Sequence, residues 1–109
     1  MKQWRLIYSH SDKENLWRGI YRHELIQHDE TISARGLKSD DPAWVEAVTR
    51  ATDTALQRDA PKYIIGDTQN ENGDYALIDT DTGEVMPFVV KYLAVVDAWA
   101  CIQYVDVGA

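Results

Sequence analysis

The stretch from Tyr63 to Val107, YIIGDTQNENGDYALIDTDTGEVMPFVVKYLAVVDAWACIQYVDV, decides the fold. Two turn signals, NENGD at 70–74 and DTG at 81–83, interrupt its apolar runs. Asn and Gly readily adopt the positive φ that tight hairpins require. The pattern therefore predicts an antiparallel meander of three strands. These strands cover 62–67, 75–80 and 84–92.

The segment 89–104 contains neither Gly nor Pro, so helix and strand are both open for it. Its polar residues Lys91, Asp97 and Gln103 are six apart. On a helix they would point in three directions, whereas on extended chain they share one face. The opposite face would then be apolar, with Ala94, Val96, Ala98, Ala100, Ile102 and Tyr104. We expect two strands with a bend near 95–98, and a long helix is the alternative.

Two segments in the first half of the chain also suit extended backbone. Residues 3–9 alternate in the way that a strand does. One face of this strand would carry Trp4, Leu6 and Tyr8. The connector 29–39 includes a short candidate strand at 31–34.

A helix is expected over 12–27. Ser11 and Glu14 have the spacing of a capping box at its start. The helix would bury a stripe of Leu16, Trp17, Ile20, Tyr21 and Leu25. Gly19 weakens a helix by about 1 kcal/mol relative to Ala. A strand through 19–26 is therefore the competing interpretation.

A second helix is expected over 42–58, with Asp41 as its N-cap and Pro42 in its first turn. Its buried stripe would consist of Trp44, Val45, Val48, Ala51, Ala55 and Leu56. Together these elements predict an α+β fold, an antiparallel four- to five-stranded sheet with two helices packed on one face. A chain of 109 residues is expected to form a single domain over 1–109.

The net charge of −7 lies entirely in the second part of the chain. Residues 1–62 contain ten Lys or Arg and ten Asp or Glu, whereas residues 63–109 contain one Lys and eight acids. These acids are Asp67, Glu71, Asp74, Asp79, Asp81, Glu84, Asp97 and Asp106. An excess of carboxylates repels the phosphates of nucleic acid, so direct nucleic-acid binding through the second part of the chain is not expected.

Neither a membrane span nor a disulfide framework is expected. The most apolar region, 85–102, contains Pro87, Lys91 and Asp97, which a membrane span tolerates poorly. Cys101 is the single cysteine, and it is expected in the core rather than as a nucleophile. We expect a cytoplasmic protein that does not bind a membrane.

Two motif-like patterns lack the spacing that their chemistry needs. His23 and His28 are five residues apart, whereas a zinc-binding helix needs a spacing of four. The segment from Asp79 resembles the opening of a calcium loop, but Glu84 stands where that loop requires Gly. If a cation bound there, Asp79, Asp81 and Glu84 would be its ligands. No catalytic residue, metal or cofactor is predicted.

Trp99 is the aromatic residue with the clearest functional interest. On extended chain it would share the polar face with Lys91 and Asp97. An exposed Trp is typical of interaction surfaces, although a covering helix would make it a core residue instead. The residues predicted to bind a partner are Asp67, Glu71, Asp74, Asp79, Asp81, Glu84, Asp97 and Trp99.

The favoured hypothesis is a small acidic interaction protein without catalytic activity that binds a basic protein surface. That surface could be one that normally binds nucleic acid. The chain would then be an inhibitor or nucleic-acid mimic of the kind that mobile elements encode. One alternative is a small-ligand or divalent-cation-dependent enzyme domain, in which Asp67, Asp79, Asp81 and Asp97 converge. The other is a homodimer joined through a sheet edge or the Trp99 face.

Overall fold

The computed structural model describes residues 2–35 and 40–106, which form a five-stranded sheet and three α-helices. The strands are β1 Lys2–His10, β2 Tyr63–Gln69, β3 Tyr75–Asp79, β4 Val85–Leu93 and β5 Ala98–Asp106. The helices are α1 Leu16–Gln27, α2 Glu30–Arg35 and α3 Pro42–Gln57, with a short 3-10 helix at Lys13–Asn15. The strand order is β1-β5-β4-β3-β2, and all neighbours are antiparallel. The predicted α+β fold is confirmed.

Both predicted turns of the meander are present. Gly73 and Gly83 have φ angles of 80° and 75°, which Gly adopts at no steric cost. The side-chain carbonyl of Asn70 accepts hydrogen bonds from the backbone N–H groups of Asn72 and Asp74, both at 2.9 Å. The first turn is therefore fixed by its own side chain.

The segment 89–104 forms two strands, as expected, with the bend at 94–97. Asp97 ends this turn with a φ of 49°. The prediction that Trp99 shares a face of the sheet with Lys91 is wrong, because Trp99 pairs with Tyr92 whereas Lys91 pairs with Ala100. The four-residue turn interrupts the alternation of sides, so Trp99 and Lys91 lie on opposite faces of the sheet.

The core lies between α1 and one face of the sheet. Leu16 and Ile20 of α1 cluster with Leu77, Val90 and Cys101 of the central strands, and all five are at most 1% exposed. The prediction that Cys101 is a core residue is confirmed. Burial raises the pKa of its thiol to about 12.

The prediction that Trp4, Leu6 and Tyr8 share one face of β1 is wrong for Tyr8, because a β-bulge lies between Leu6 and Tyr8. A bulge adds one residue to a strand, so the side chains beyond it change faces. Tyr8 consequently packs against the core beneath α1. Trp4 and Leu6 lie on the face opposite α1 and are 46% and 50% exposed.

The predicted helix over 12–27 is confirmed, and the competing strand over 19–26 is wrong. The predicted cap of this helix is also wrong. Asp12, rather than Ser11, is the N-cap residue of the 3-10 helix that precedes α1, and its Oδ1 accepts the backbone N–H of Glu14 at 3.0 Å. The expected strand at 31–34 is also wrong, because this segment belongs to α2. Asp29 Oδ1 accepts the N–H of Thr31 at 2.9 Å and so caps that helix.

The second helix begins as expected, with Asp41 Oδ1 accepting the N–H of Ala43 at 2.9 Å. The predicted buried stripe of α3 is partly wrong, since Val45 and Leu56 are 51% and 61% exposed. The residues that α3 buries form a single row of small side chains: Ala47, Ala51 and Ala55. Such a row allows close approach to α1, the main contact of α3.

None of the helices in the described part of the chain is long and apolar enough to cross a membrane.

Candidate partner-binding site

The eight acids of the second half are distributed over both ends of the sheet. One end, called the aromatic end, is formed by the turns at 70–74 and 94–97 and by His10, the last residue of β1. Glu71, Asp74 and Asp97 lie there, and Asp67 lies near it in β2. The remaining four, at the opposite end, are Asp79, Asp81, Glu84 and Asp106. The carboxylates are therefore not gathered at one end of the sheet.

Two acids of the opposite end are paired with cations. Lys62 Nζ lies 3.0 Å from Asp79 and 2.9 Å from Asp81, and Arg58 lies 2.8 Å from Asp81. Hydrogen bonds from Lys62 lower the pKa values of both carboxyls, and Arg58 contributes at Asp81. The Asp81 contact also raises the pKa of Lys62. This cluster ties the end of α3 to the β3–β4 turn and leaves less negative charge for a partner.

Asp74 is buried, with a side chain of 0% exposure. Tyr104 donates a hydrogen bond to its Oδ2 at 2.6 Å, and Lys91 Nζ lies 3.5 Å from its Oδ1. The phenol crosses β4 to reach Asp74, because Tyr104 lies in β5 and Asp74 precedes β3. The bond to Asp74 raises the pKa of Tyr104 to about 12. Asp74 thus joins strands and is inaccessible to a partner.

Besides Asp81, which is paired with Lys62 and Arg58, the exposed acids of the predicted set are Asp67, Glu71, Glu84 and Asp97. In 2–35 and 40–106, none of these four takes part in an ion pair. Three of the four lie at or near the aromatic end, and Glu84 lies at the other. Asp106, the exposed acid at the end of β5, likewise has no ion pair among the described residues and lies at the opposite end. The unpaired acids of the second half are therefore three at or near the aromatic end and two at the opposite end.

Trp99 is part of a ring cluster at the aromatic end, on the side of the sheet that α1 covers. Its ring centroid lies 5.8 Å from that of Tyr75 and 5.1 Å from that of Tyr92. Trp99 is half-buried, and Tyr92 is 41% exposed. Tyr92 donates a hydrogen bond to Asp97, which raises the pKa of the phenol. A carboxylate is thereby held at the rim of the rings.

The ring cluster already holds an ammonium group. Lys13 Nζ lies 4.9 Å from the ring centroid of Trp99 and 5.5 Å from that of Tyr75. The electron-rich ring faces attract a cation at such distances. Lys13 reaches the rings because β1 ends beside β5, with His10 opposite Trp99, and the chain turns there into α1.

Sequence reasoning found Trp99 and Asp97 but missed Lys13, Tyr75 and Tyr92. The signal for Tyr92 was present, because a four-residue turn at 94–97 places it opposite Trp99. Lys13 carries no such signal, since it meets the rings through the pairing of β1 with β5, two strands far apart in sequence.

Two cavities border α1. One, of about 500 Å³, is lined by His23, Glu24 and His28 together with Arg5 and Phe88. The other, of about 560 Å³, lies beside the first turns of α1 and includes Arg18 and Tyr63 in its lining. Within the described ranges, no group of three or more His, Cys, Asp or Glu could hold a metal ion.

No family model matches this chain, and the searches of curated proteins and of solved structures found no significant similarity.

Proposed function

We propose that this protein is a small acidic interaction protein, without catalytic activity, that binds a basic segment of a partner protein at the aromatic end of its sheet. The observation that carries the proposal is the ammonium of Lys13 over the rings of Tyr75 and Trp99. These rings accept a cation from within the chain, and a partner's lysine or arginine suits the same environment.

The charge distribution supports a cationic partner. Asp97 is exposed beside the rings, Glu71 is exposed in the turn at 70–74, and no described residue forms an ion pair with either of them. Such carboxylates steer a basic partner toward the aromatic anchor and lose strength as salt screens them. If the target normally binds nucleic acid, the protein would act as its inhibitor by occupying the basic surface.

Fluorescence anisotropy with a labelled oligolysine peptide tests this proposal. Removing one exposed charge should weaken binding by about two- to fivefold, as for other exposed ion pairs. We therefore expect Glu71→Gln and Asp97→Asn each to weaken binding, and added salt to weaken it further. Asn tolerates the positive φ of position 97, so the turn should persist.

Glu84→Gln is the matched control, because it removes the same charge from an exposed residue at the other end of the sheet. Equal losses from Glu84→Gln and Asp97→Asn would contradict the proposed location. Binding that does not respond to salt would contradict the proposed mechanism.

A further inference from the structure

We infer that the cavity beside the first turns of α1 binds a small monocarboxylate with an apolar body. The cavity measures about 560 Å³, which is within the range of small-molecule sites. It shares Lys13 with the aromatic end, because Lys13 also lines the cavity, but its anchor is Arg18 of α1 and not the ring cluster.

Arg18, which lines this cavity, has an unused hydrogen-bond donor. Its Nε is buried, and no residue in the described part of the chain accepts a hydrogen bond from it. The guanidinium carbon of Arg18 lies over the ring of Trp17, at 5.0 Å from the ring centroid. A buried donor without an acceptor costs free energy that a bound acceptor recovers. A carboxylate matches the planar fork of a guanidinium with two parallel hydrogen bonds.

The rest of the lining selects the kind of carboxylate. Pro61, Ile64 and Ile65 line the cavity with apolar side chains that are exposed or half-buried, and so can contact a ligand. Glu14, Asp59 and Lys13 also line it, so that with Arg18 the lining carries two positive and two negative charges. Such a balance accommodates one negative charge on a ligand better than the two of a dianion such as phosphate. A single carboxylate on an apolar or aromatic body satisfies both features.

The test uses the full chain with benzoate as the probe, benzamide as its neutral analogue and inorganic phosphate as the dianion. Calorimetry and melting temperature should detect benzoate binding, with much weaker effects of the other two. Arg18→Gln should weaken benzoate binding by at least about tenfold, because a charge-assisted pair is lost. Arg50→Gln is the matched control, since Arg50 is an exposed arginine of α3 outside the cavity lining.

If Arg18→Gln does not fold, Arg18→Lys decides, because it keeps the charge and removes the fork. We expect it to bind benzoate more weakly than the unmodified chain. The inference is overturned if benzoate does not bind, if benzamide binds equally well, or if the folded Arg18 variants retain full benzoate affinity.

Discussion

The ring of Tyr8 occupies the space that a side chain on Gly19 would fill. A Cβ atom at position 19 would lie 1.9 Å from Cε1 and 2.1 Å from Cζ of Tyr8. Gly19 is buried in α1, and Tyr8 packs against the core that α1 covers. The glycine therefore lets the aromatic ring of β1 lie directly against the helix.

Gly19→Ala is expected to destabilise the protein by about 1–3 kcal/mol, because overpacking outweighs the gain in helix propensity. Urea denaturation measures the change. Gly66→Ala is the control, since a Cβ there would meet its nearest neighbours only at 3.7 Å. A smaller ring-free residue at position 8 should remove most of the penalty of Gly19→Ala. Full additivity of the two changes would contradict the contact.

The turns and the two longer helices were predictable because their signals are local. Asn70 and Gly73 define a turn from their own chemistry, and Asp41 and Pro42 mark a helix start. The side assignments failed where one extra residue changes the alternation, at the bulge beside Tyr8 and at the turn before Trp99. Gly19 predicted only a weaker helix, because sequence does not reveal a ring arriving from another strand.

The candidate site was predictable only in part, for the same reason. Exposed carboxylates and Trp99 follow from composition and pattern. The pairing of Asp79 and Asp81 with Lys62 depends on where the end of α3 meets the β3–β4 turn. The burial of Asp74 depends on Tyr104 reaching across β4. These are long-range contacts, and they decide which acids remain available to a partner.

Cys101 is expected to resist thiol reagents in the folded protein. Its side chain is 0% exposed and burial raises its pKa to about 12, so little thiolate forms near neutral pH. Ellman's reagent should react at the rate of global or local opening, and quickly once urea unfolds the chain. Rapid, complete labelling of the native protein would show that this part of the core opens easily.

Tyr104→Phe should lower stability by about 1–3 kcal/mol, because it leaves the buried Asp74 carboxylate without its phenolic donor. The pKa of Tyr104 is raised from 10.0 to about 12. The contribution of the Tyr104–Asp74 hydrogen bond to stability is therefore full below pH 10 and is lost as the pH rises toward 12. Denaturation curves at increasing pH should show the two proteins converging in that window. Tyr92→Phe, at an exposed phenol, is the control with a smaller effect.

Lys62→Gln is expected to raise the midpoint pH of acid unfolding. Lys62 lowers the pKa values of Asp79 and Asp81 below the usual 3.8. The contribution of these two ionised carboxyls to folding stability is therefore full above pH 3.8 and disappears as the pH falls through the lowered pKa values. Circular dichroism during acid titration measures the midpoint. Lys2→Gln removes an exposed lysine from β1 and should leave the midpoint nearly unchanged. Equal shifts in both variants would point to net charge instead of the cluster.

Lys13→Gln should strengthen binding of the oligolysine peptide, because the Lys13 ammonium occupies the rings that the peptide would contact. A comparison with Lys2→Gln separates this competition from the effect of net charge alone. A partner's cation must displace the Lys13 ammonium from the rings of Tyr75 and Trp99, and that interaction is worth about 0.5–1 kcal/mol at an exposed site. Its removal should improve affinity by about two- to fivefold. Lys2→Gln makes the same change in net charge at the opposite end of the sheet, so it should improve affinity less. Anisotropy titrations of the two variants at one salt concentration provide the comparison. If both variants gain equally, only the net charge attracts the peptide and the rings of the aromatic end are not its binding site.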